Sequence, residues 1–468
     1  MKLNLKNSLI AILLAVMLGA CDKDSTSSID QNPDNNLLPD IPLNTFKAPL
    51  YWSVYEHHYL QSDDESNYIT EEELMKNIDW VEEHLLPYGY DMIALDGWGD
   101  VTRLNEHGYR KSHSRHWEND YAWWANHLQE RGMSLGMYDN PLWVHTSAAD
   151  AGATIVGTDI PLENIINRNE DALWFNWVQV DRNGAEEYVK GYVQHYADMG
   201  IRYLNVDFLS WYENGFDKNL GDVGPERPRE HYITAMRWIK EAADENGMLF
   251  KAVMPHLNNE AEIERRFSHM VRINEDVAAG GWARFSEDNR GNRREWWSQW
   301  GNPMDGYAYW SHIAGRDSLI LCGDFIRLNT FNSDEEKKSV ISQHVLAGGP
   351  LGVADQYNTI GDDLWLYQNE EILALNHDGF VGKPLDNNPT NESSQTWIGQ
   401  MSNGDWIVGL FNRDGSSRLR NINFETTLGL QGNSNVRDVW EQEDLGSMSS
   451  FSTTVPSRGV VVLRISQN

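Results

Sequence analysis

The chain has 468 residues, which exceeds one ordinary domain and matches a barrel of roughly 250 residues followed by a second module. Its apolar share of 40% and charged share of 23% are typical of a globular protein. The formal net charge of -32 argues against nucleic acid as a partner, because lysine and arginine bind phosphate backbones, and it favours a neutral ligand. The 20 tryptophans favour a carbohydrate ligand, since their flat rings suit the apolar faces of sugars, with core filling as the alternative.

The N-terminus has the pattern of a bacterial lipoprotein signal. Positive charge precedes the apolar run 9–18, which is too short to span a bilayer and leads into Leu-Gly-Ala-Cys at Cys21. We predict a signal peptide over residues 1–20 and a lipidated Cys21; an ordinary signal peptide with an incidental cysteine is the alternative. Residues 21–46 are rich in Asp, Ser, Asn and Pro and predict a flexible tether. The expected location is the cell envelope, periplasmic or on the outer-membrane surface, with the lipid as the only membrane contact.

After the tether, apolar strand-like segments alternate with helical patterns, the first of which opens with a capping box at Thr70 and Glu73. Short apolar strands fit a parallel sheet that is buried on both faces. The segments are Leu50–Tyr55, Tyr90–Leu95, Ser134–Tyr138, Arg202–Val206, Leu249–Met254, Met270–Ile273, Ser318–Cys322 and Gly349–Val353. Eight such units predict an α/β fold, a (β/α)8 TIM barrel over residues 47–375. A doubly wound open sheet is the alternative.

The pattern changes from about residue 376. Short strand-like segments such as Trp406–Phe411 and Gly459–Ile465 are separated by Asn, Gly, Ser and Asp, without a helical pattern. This spacing predicts a C-terminal antiparallel β-sandwich over residues 376–468.

Polar residues follow several predicted strands, at the rim where barrels build their active sites. A single one of these residues is explained as well by a turn or a helix cap. Asp96, Asp207, His256 and Asp276 together favour a site. Two carboxyl groups about 5–5.5 Å apart are what hydrolysis of a glycoside with retention requires.

Two stretches carry a resemblance to glycoside hydrolase family 27, the α-galactosidase family. Arg202–Asp207 resembles the motif of the fourth strand that carries the family's nucleophile, and Val271–Asp276, followed by Trp282, resembles its Arg-x-x-x-Asp motif. Four further fragments resemble the family in the same order: Ala48–Trp52, Leu364–Asp378, Gly409–Arg413 and Val436–Trp440.

The resemblance implies a nucleophile at Asp207, an acid/base at Asp276 and a substrate-binding arginine at Arg272. Glu275 is the rival for the acid role. Glu275, with apolar Val277 nearby, is expected to raise the pKa of Asp276, as an acid catalyst requires.

Two departures from the family concern the substrate. The double acid that α-galactosidases carry after strand two is Asp96-Gly97-Trp98 here, and Asn205 stands where they carry a lysine. Such changes alter sugar specificity. The pattern resembles more closely the family's isomaltodextranase branch, which acts on α-1,6-glucan (dextran); an α-galactosidase is the alternative. The candidates for sugar binding are Asp96, Trp98, Tyr138, Asp139, Asn205, His256, Arg272, Trp282 and Asp317.

The expected activity is therefore that of a retaining, exo-acting O-glycosidase on an α-linked oligo- or polysaccharide, without a cofactor. A non-catalytic glycan-binding lipoprotein is the alternative from another class, and it would be favoured by loss of a catalytic acid. The 15 histidines form neither an HxH nor an HExxH pattern, which argues against a metal-dependent hydrolase.

Overall fold

The computed structural model describes residues 38–60, 68–96, 103–170, 174–217, 221–222, 227–297 and 299–467. The predicted signal peptide, the predicted lipidated Cys21 and Trp98 lie outside these residues, as does most of the predicted tether. Within the described ranges, no helix is both long and apolar enough to cross a bilayer.

The larger sheet is a closed parallel barrel. Its strands in the described part of the chain are Leu50–Ser53 (β1), Met92–Leu95 (β2), Ser134–Tyr138 (β3), Tyr203–Val206 (β4), Leu249–Ala252 (β5), Met270–Arg272 (β6), Ile320–Cys322 (β7), Phe325–Ile326 (β8) and Leu351–Val353 (β9). Neighbouring strands pair in parallel from β1 through β7, and β9 pairs with β1 and β8. Only Gly323 and Asp324 separate β7 from β8, so the chain itself closes the ring. The predicted barrel is confirmed, with its seventh strand in two pieces.

Helices alternate with these strands. The main ones are Glu71–His84 (α1), Tyr121–Glu130 (α2), Ala185–Asp198 (α3), Arg229–Glu245 (α4), Glu264–Phe267 (α5), Pro303–Trp310 (α6), Asp334–Leu346 (α7) and Glu370–Asp378 (α8). Shorter helices span Tyr55–Leu60, Thr146–Asp150, Leu209–Asn214 and Leu364–Tyr367. Thr70 caps α1 as predicted, because its hydroxyl accepts from the Glu73 N–H at 3.2 Å. The Glu73 carboxylate instead accepts from the Lys76 ammonium at 2.6 Å.

The barrel interior has an apolar lower layer and a polar upper layer. Side chains alternate along a strand, so every second residue points inward. Tyr203 and Leu249 belong to the apolar layer, whose side chains are buried in one cluster. Two residues further along the same strands lie Asn205 and Lys251, which are register partners and are both buried. The polar upper layer therefore forms the floor of the opening at the carboxyl ends of the strands.

The C-terminal module is an antiparallel β-sandwich, as predicted. Its strands are Lys383–Pro384 (β10), Thr396–Gln400 (β11), Trp406–Phe411 (β12), Arg418–Asn423 (β13), Ser434–Asp438 (β14), Glu443–Met448 (β15), Ser450–Val455 (β16) and Val460–Ser466 (β17). One sheet has the order β10-β11-β12-β17-β14-β15, and β13 pairs with β16 in the second. Apolar side chains from both sheets form the core between them.

Two details of the sandwich differ from the sequence prediction. The predicted boundary at residue 375 falls inside α8, which ends only at Gly379 in the left-handed conformation. A short helix, Phe424–Leu428, lies within the sandwich because Asn423 caps it through the Thr426 N–H at 2.9 Å. An isolated helical turn is too short to give a periodic pattern, which is why the sequence did not indicate it.

Candidate active site

Asp207 stands at the tip of β4. Phe208, which follows it, has a φ of 62°, a conformation that costs a non-glycine residue strain and turns the chain sharply after the carboxylate. The Tyr138 hydroxyl donates to Asp207 Oδ2 at 3.0 Å, and the Phe208 N–H donates to Oδ1 at 2.7 Å. Asn140 Nδ2 holds the Asp207 carbonyl at 2.6 Å. The carboxylate is therefore fixed on both oxygens and oriented by three neighbours.

Burial and, to a smaller extent, the negative charge of Asp276 raise the pKa of Asp207 to about 7. The hydrogen bonds from the Phe208 N–H and the Tyr138 hydroxyl act in the opposite direction. Asp207 and Asp276 thus interact electrostatically across one site, as two carboxyl groups that share a substrate must.

Asp276 is held by Arg272 at the end of β6. Arg272 Nη2 lies 3.0 Å from Asp276 Oδ1 and 2.6 Å from Asp324 Oδ2. The side chains of Arg272 and Asp324 are buried, with 4% and 0% exposed, whereas that of Asp276 is 44% exposed. The arginine is therefore anchored from below by Asp324 and presents Asp276 at the surface of the site, where a substrate can reach it.

Glu275, the rival for the acid role, is engaged elsewhere. Its carboxylate pairs with Arg294 Nη1 at 2.5 Å, and its side chain is 14% exposed. Asp276 is the member of this acidic pair that contacts Arg272 and acts on Asp207. The geometry therefore favours Asp276 over Glu275 as the acid/base.

The floor of the site is built from the polar layer. Asn205 Nδ2 donates to Asp96 Oδ1 at 2.7 Å, and both side chains are buried. Burial raises the pKa of Asp96, and the positive charge of Lys251 opposes that effect. The structure thus brings Asp96, Asn205 and Arg272 together, alongside Tyr138.

Sequence reasoning missed two residues of this floor, Lys251 and Asp324. Lys251 was hidden inside the apolar strand β5, yet its ammonium faces the ring of Phe325 at 5.3 Å inside the barrel. Its register partner on β4, Asn205, stands where α-galactosidases carry a lysine. Lys251 therefore supplies a positive charge one strand away from that position. Asp324 has a φ of 82° and accepts from the Val277 N–H at 2.8 Å. The sequence shows that Asp324 follows a strand, and this position could have identified it as a site residue. Its contact with Arg272 cannot be seen in the sequence.

Asp139 and Asp317, both predicted to bind sugar, do not face the site. Asp139 follows Tyr138 and therefore points to the opposite side of the strand, where Oδ2 accepts from the hydroxyls of Tyr192, at 2.7 Å, and Tyr196. Asp317 precedes β7 and so lies at the amino end of the barrel, where its carbonyl accepts from the Asn44 N–H at 2.9 Å. Both assignments are corrected: these residues support the fold.

Trp282 and His256 are also committed to internal contacts. Trp282 is 3% exposed and packs 5.8 Å from the Phe285 ring, with the Arg458 guanidinium of the sandwich 5.9 Å from its own centroid. His256 Nδ1 lies 2.6 Å from Glu213 Oε2, and its Nε2 lies 3.2 Å from Asn214 Nδ2. Neither side chain is brought to the pair of aspartates by these contacts.

A parallel barrel with two electrostatically coupled aspartates at its carboxyl rim, followed by an antiparallel sandwich, is the arrangement of a glycoside hydrolase. Residues 391–465 match the family model described as the alpha galactosidase C-terminal beta sandwich domain. The chain is 40% identical over 438 residues to the isomalto-dextranase of Arthrobacter globiformis, covering 89% of this chain and 67% of that relative. The chain belongs to glycoside hydrolase family 27 and to its isomaltodextranase branch.

Solved structures agree with this assignment. The isomalto-dextranase of Arthrobacter globiformis T6, complexed with panose, is 38% identical and superposes with a TM-score of 0.87 over 92% of this chain and 76% of that one. The α-galactosidase of Saccharomyces cerevisiae shares the fold at 17% identity, with a TM-score of 0.65 over 91% of this chain and 100% of that one. The protein is an α-glycoside hydrolase.

Proposed function

We propose that this protein releases isomaltose units from the chain ends of α-1,6-linked glucan by a retaining, two-step displacement. The observation that carries the proposal is the Asp207–Asp276 pair at the carboxyl rim, in a chain 40% identical to an isomalto-dextranase over 89% of its length. The panose complex of the similar structure supports an α-glucan ligand.

In the first step, the ionised Asp207 carboxylate attacks the anomeric carbon while the bond from that carbon to the leaving oxygen breaks. Asp276 gives its proton to the leaving oxygen, so that the departing sugar is a neutral alcohol. The product of this step is a glycosyl ester on Asp207. The hydrogen bonds from Tyr138 and Phe208 keep Asp207 oriented for the attack and favour its charged form.

In the second step, Asp276, now a carboxylate, removes a proton from water, and the water oxygen attacks the anomeric carbon. The ester bond to Asp207 breaks, which returns Asp207 to a carboxylate and Asp276 to an acid. Two inversions at one carbon leave the product in the α configuration. The exposure of Asp276, 44% of its side chain, suits a group that meets both the leaving sugar and water.

The test is a product assay on dextran beside p-nitrophenyl α-galactoside. Isomaltose as the first product from dextran, in the α configuration by proton NMR, supports the proposal. Hydrolysis of the galactoside alone would favour an α-galactosidase, and glucose or long oligosaccharides as first products would contradict the isomaltose-releasing mode. Asp207→Asn serves as the control for contaminating activity.

Acid catalysis by Asp276 has a test of its own. Asp276→Ala should lower kcat/KM by roughly 10²- to 10⁴-fold on dextran, whose leaving alcohol needs a proton, and far less on an aryl glycoside with a good leaving group. Asp317→Asn is the control, because Asp317 lies at the amino end of the barrel, away from Asp276. An equal loss on both substrates would contradict the acid role.

We also propose that the enzyme is tethered to the cell envelope by a lipid on Cys21. The proposal is supported by the sequence pattern of residues 1–20. Fractionation of cells that express the full chain should place the enzyme with membranes, and Cys21→Ser should release it in soluble form. Equal fractionation of the two proteins would contradict the anchor.

A further inference from the structure

The loop between β6 and α6, residues 273–302, carries Asp276 near its start. The start is anchored by Asp324, which accepts from the Val277 N–H at 2.8 Å. The end of the loop is tied back to the start, since the Glu275 N–H donates to the Trp300 carbonyl at 3.0 Å and Arg294 pairs with the Glu275 carboxylate at 2.5 Å. The position of Asp276 therefore depends on where the second half of this loop lies.

Arg413 of the sandwich fixes that second half. Its Nη1 lies 2.5 Å from Asp305 Oδ1 in the first turn of α6, and its Nε lies 3.0 Å from Ser286 Oγ in the middle of the loop. Arg413 Nη2 also contacts the Ser286 carbonyl and lies 3.4 Å from Asn302 Oδ1. One guanidinium thus joins the loop to the helix that follows it.

These contacts are buried: the side chains of Arg413 and Asp305 are 3% and 0% exposed. Asn302 Oδ1 accepts from the Asp305 N–H at 2.9 Å and so begins α6, which makes the same cluster responsible for the end of the loop. A buried charged pair of this kind has a defined geometry, because any displacement leaves a desolvated charge without its partner.

The sandwich in turn holds Arg413 in place. The neighbouring Asn412 is buried, and its side-chain amide donates to the carbonyls of Ser416, Val455 and Pro456 at 2.9, 3.2 and 2.7 Å. The turn that follows β12 is therefore fixed to the strand ends of the sandwich. A second sandwich arginine, Arg458, lies over Trp282 of the same loop at 5.9 Å.

We propose that Arg413 is a positioning residue for acid catalysis, through which the sandwich sets the distance between Asp276 and the leaving oxygen. The inference rests on the proposed role of Asp276. It gives the C-terminal module a part in the reaction besides stability: proton delivery depends on a residue that lies outside the barrel.

The test compares Arg413→Met with wild type on two α-glycosides that share a glycone and differ in the leaving group. We expect kcat/KM to fall about 10- to 100-fold on the substrate with an alkyl leaving group, because a shift of about 1 Å in a catalytic group has that effect. The activated aryl substrate should change by less than about threefold, since its departure needs no proton. Arg418→Met is the matched control, because Arg418 belongs to the same region, is 52% exposed and pairs with Asp414.

Ser286→Ala provides a milder variant should Arg413→Met not fold. It removes the Ser286 Oγ contact and keeps the ion pair to Asp305, so a smaller loss with the same dependence on the leaving group is expected. An equal loss on both substrates, or no loss in folded variants, would overturn the proposal. Failure of the wild-type enzyme to cleave dextran would refute the isomaltose-releasing function and not the role of Arg413. The comparison of Arg413→Met with wild type would then use a pair of α-glycosides that the enzyme does hydrolyse.

Discussion

Asp207 shows how a few contacts define the chemistry of one side chain. A buried carboxylate near a second one is protonated more readily than a free aspartate, and two hydrogen-bond donors limit this effect. The residue therefore changes charge close to neutral pH in the free enzyme. A nucleophile must be ionised, so its protonation is expected to govern the acid side of the pH–activity profile.

Replacing Asp207 by Asn removes the nucleophile with little change in shape. We expect kcat to fall by at least about 10⁴-fold, because no covalent intermediate can form. Calorimetric titration with isomaltose should still show binding. A variant with a normal rate would exclude Asp207 as the nucleophile.

Tyr138→Phe tests the hydrogen bond to Asp207. The wild-type kcat/KM should fall as the pH drops through about 7, because Asp207 becomes protonated there. The Tyr138 hydroxyl lowers the pKa of Asp207, so its loss should move this acid limb to higher pH. The measurement is kcat/KM across a pH series for both proteins. An unmoved limb in an otherwise active variant would show that another group controls it.

At the scale of secondary structure, the sequence predicted the strands and the cap of α1 at Thr70 because these depend on local patterns. The alternation of apolar strands with helices predicted the barrel, and the strand-end position identified Asp96 and Asp207. The pattern failed where direction matters: consecutive residues of a strand point to opposite sides, so Tyr138 faces the site and Asp139 faces α3. Lys251 was missed because a polar residue inside an apolar strand carries no local sign of what it faces.

Asp139 provides the matching experiment. It joins β3 to α3 by accepting from Tyr192 and Tyr196, and Arg110 Nη1 lies 3.8 Å away. Asp139→Asn should lower the free energy of unfolding by about 1–3 kcal/mol, because it weakens a buried charged acceptor. Thermal unfolding measures the loss. The kcat on the preferred substrate should remain within about threefold of wild type. A loss of activity without a loss of stability would indicate instead that Asp139 acts in the active site.

At the scale of the whole molecule, the barrel and the sandwich form one packed unit. A continuous hydrophobic cluster includes Trp310 of the barrel and Phe411 of the sandwich. The buried pair of Arg413 and Asp305 crosses the same interface. The sequence predicted both modules but not their contact, since a contact between residues 108 positions apart leaves no local pattern.

Arg413→Met should lower the free energy of unfolding by about 3–5 kcal/mol, because it leaves the buried Asp305 carboxylate without its cationic partner. The double variant Arg413→Met/Asp305→Leu should recover part of this loss, since it removes both charges but leaves the Gly291 N–H and the Asn302 amide without their acceptor. A double-mutant cycle by denaturant unfolding measures the coupling. Additive effects of the two substitutions would show that the pair contributes nothing specific.

The seventh strand is interrupted at Gly323 and Asp324, and this break connects the packing of the barrel with the position of its catalytic acid. A methyl group on Gly323 would lie 2.4 Å from the Tyr307 ring, and the Tyr307 hydroxyl already accepts from the Gly323 N–H at 2.8 Å. The next residue is the carboxylate that anchors Arg272. Any bulkier residue at 323 must displace the Tyr307 ring or the strand itself, directly beside the residue that anchors the arginine, so the seating of α6 and the aim of the acid are coupled.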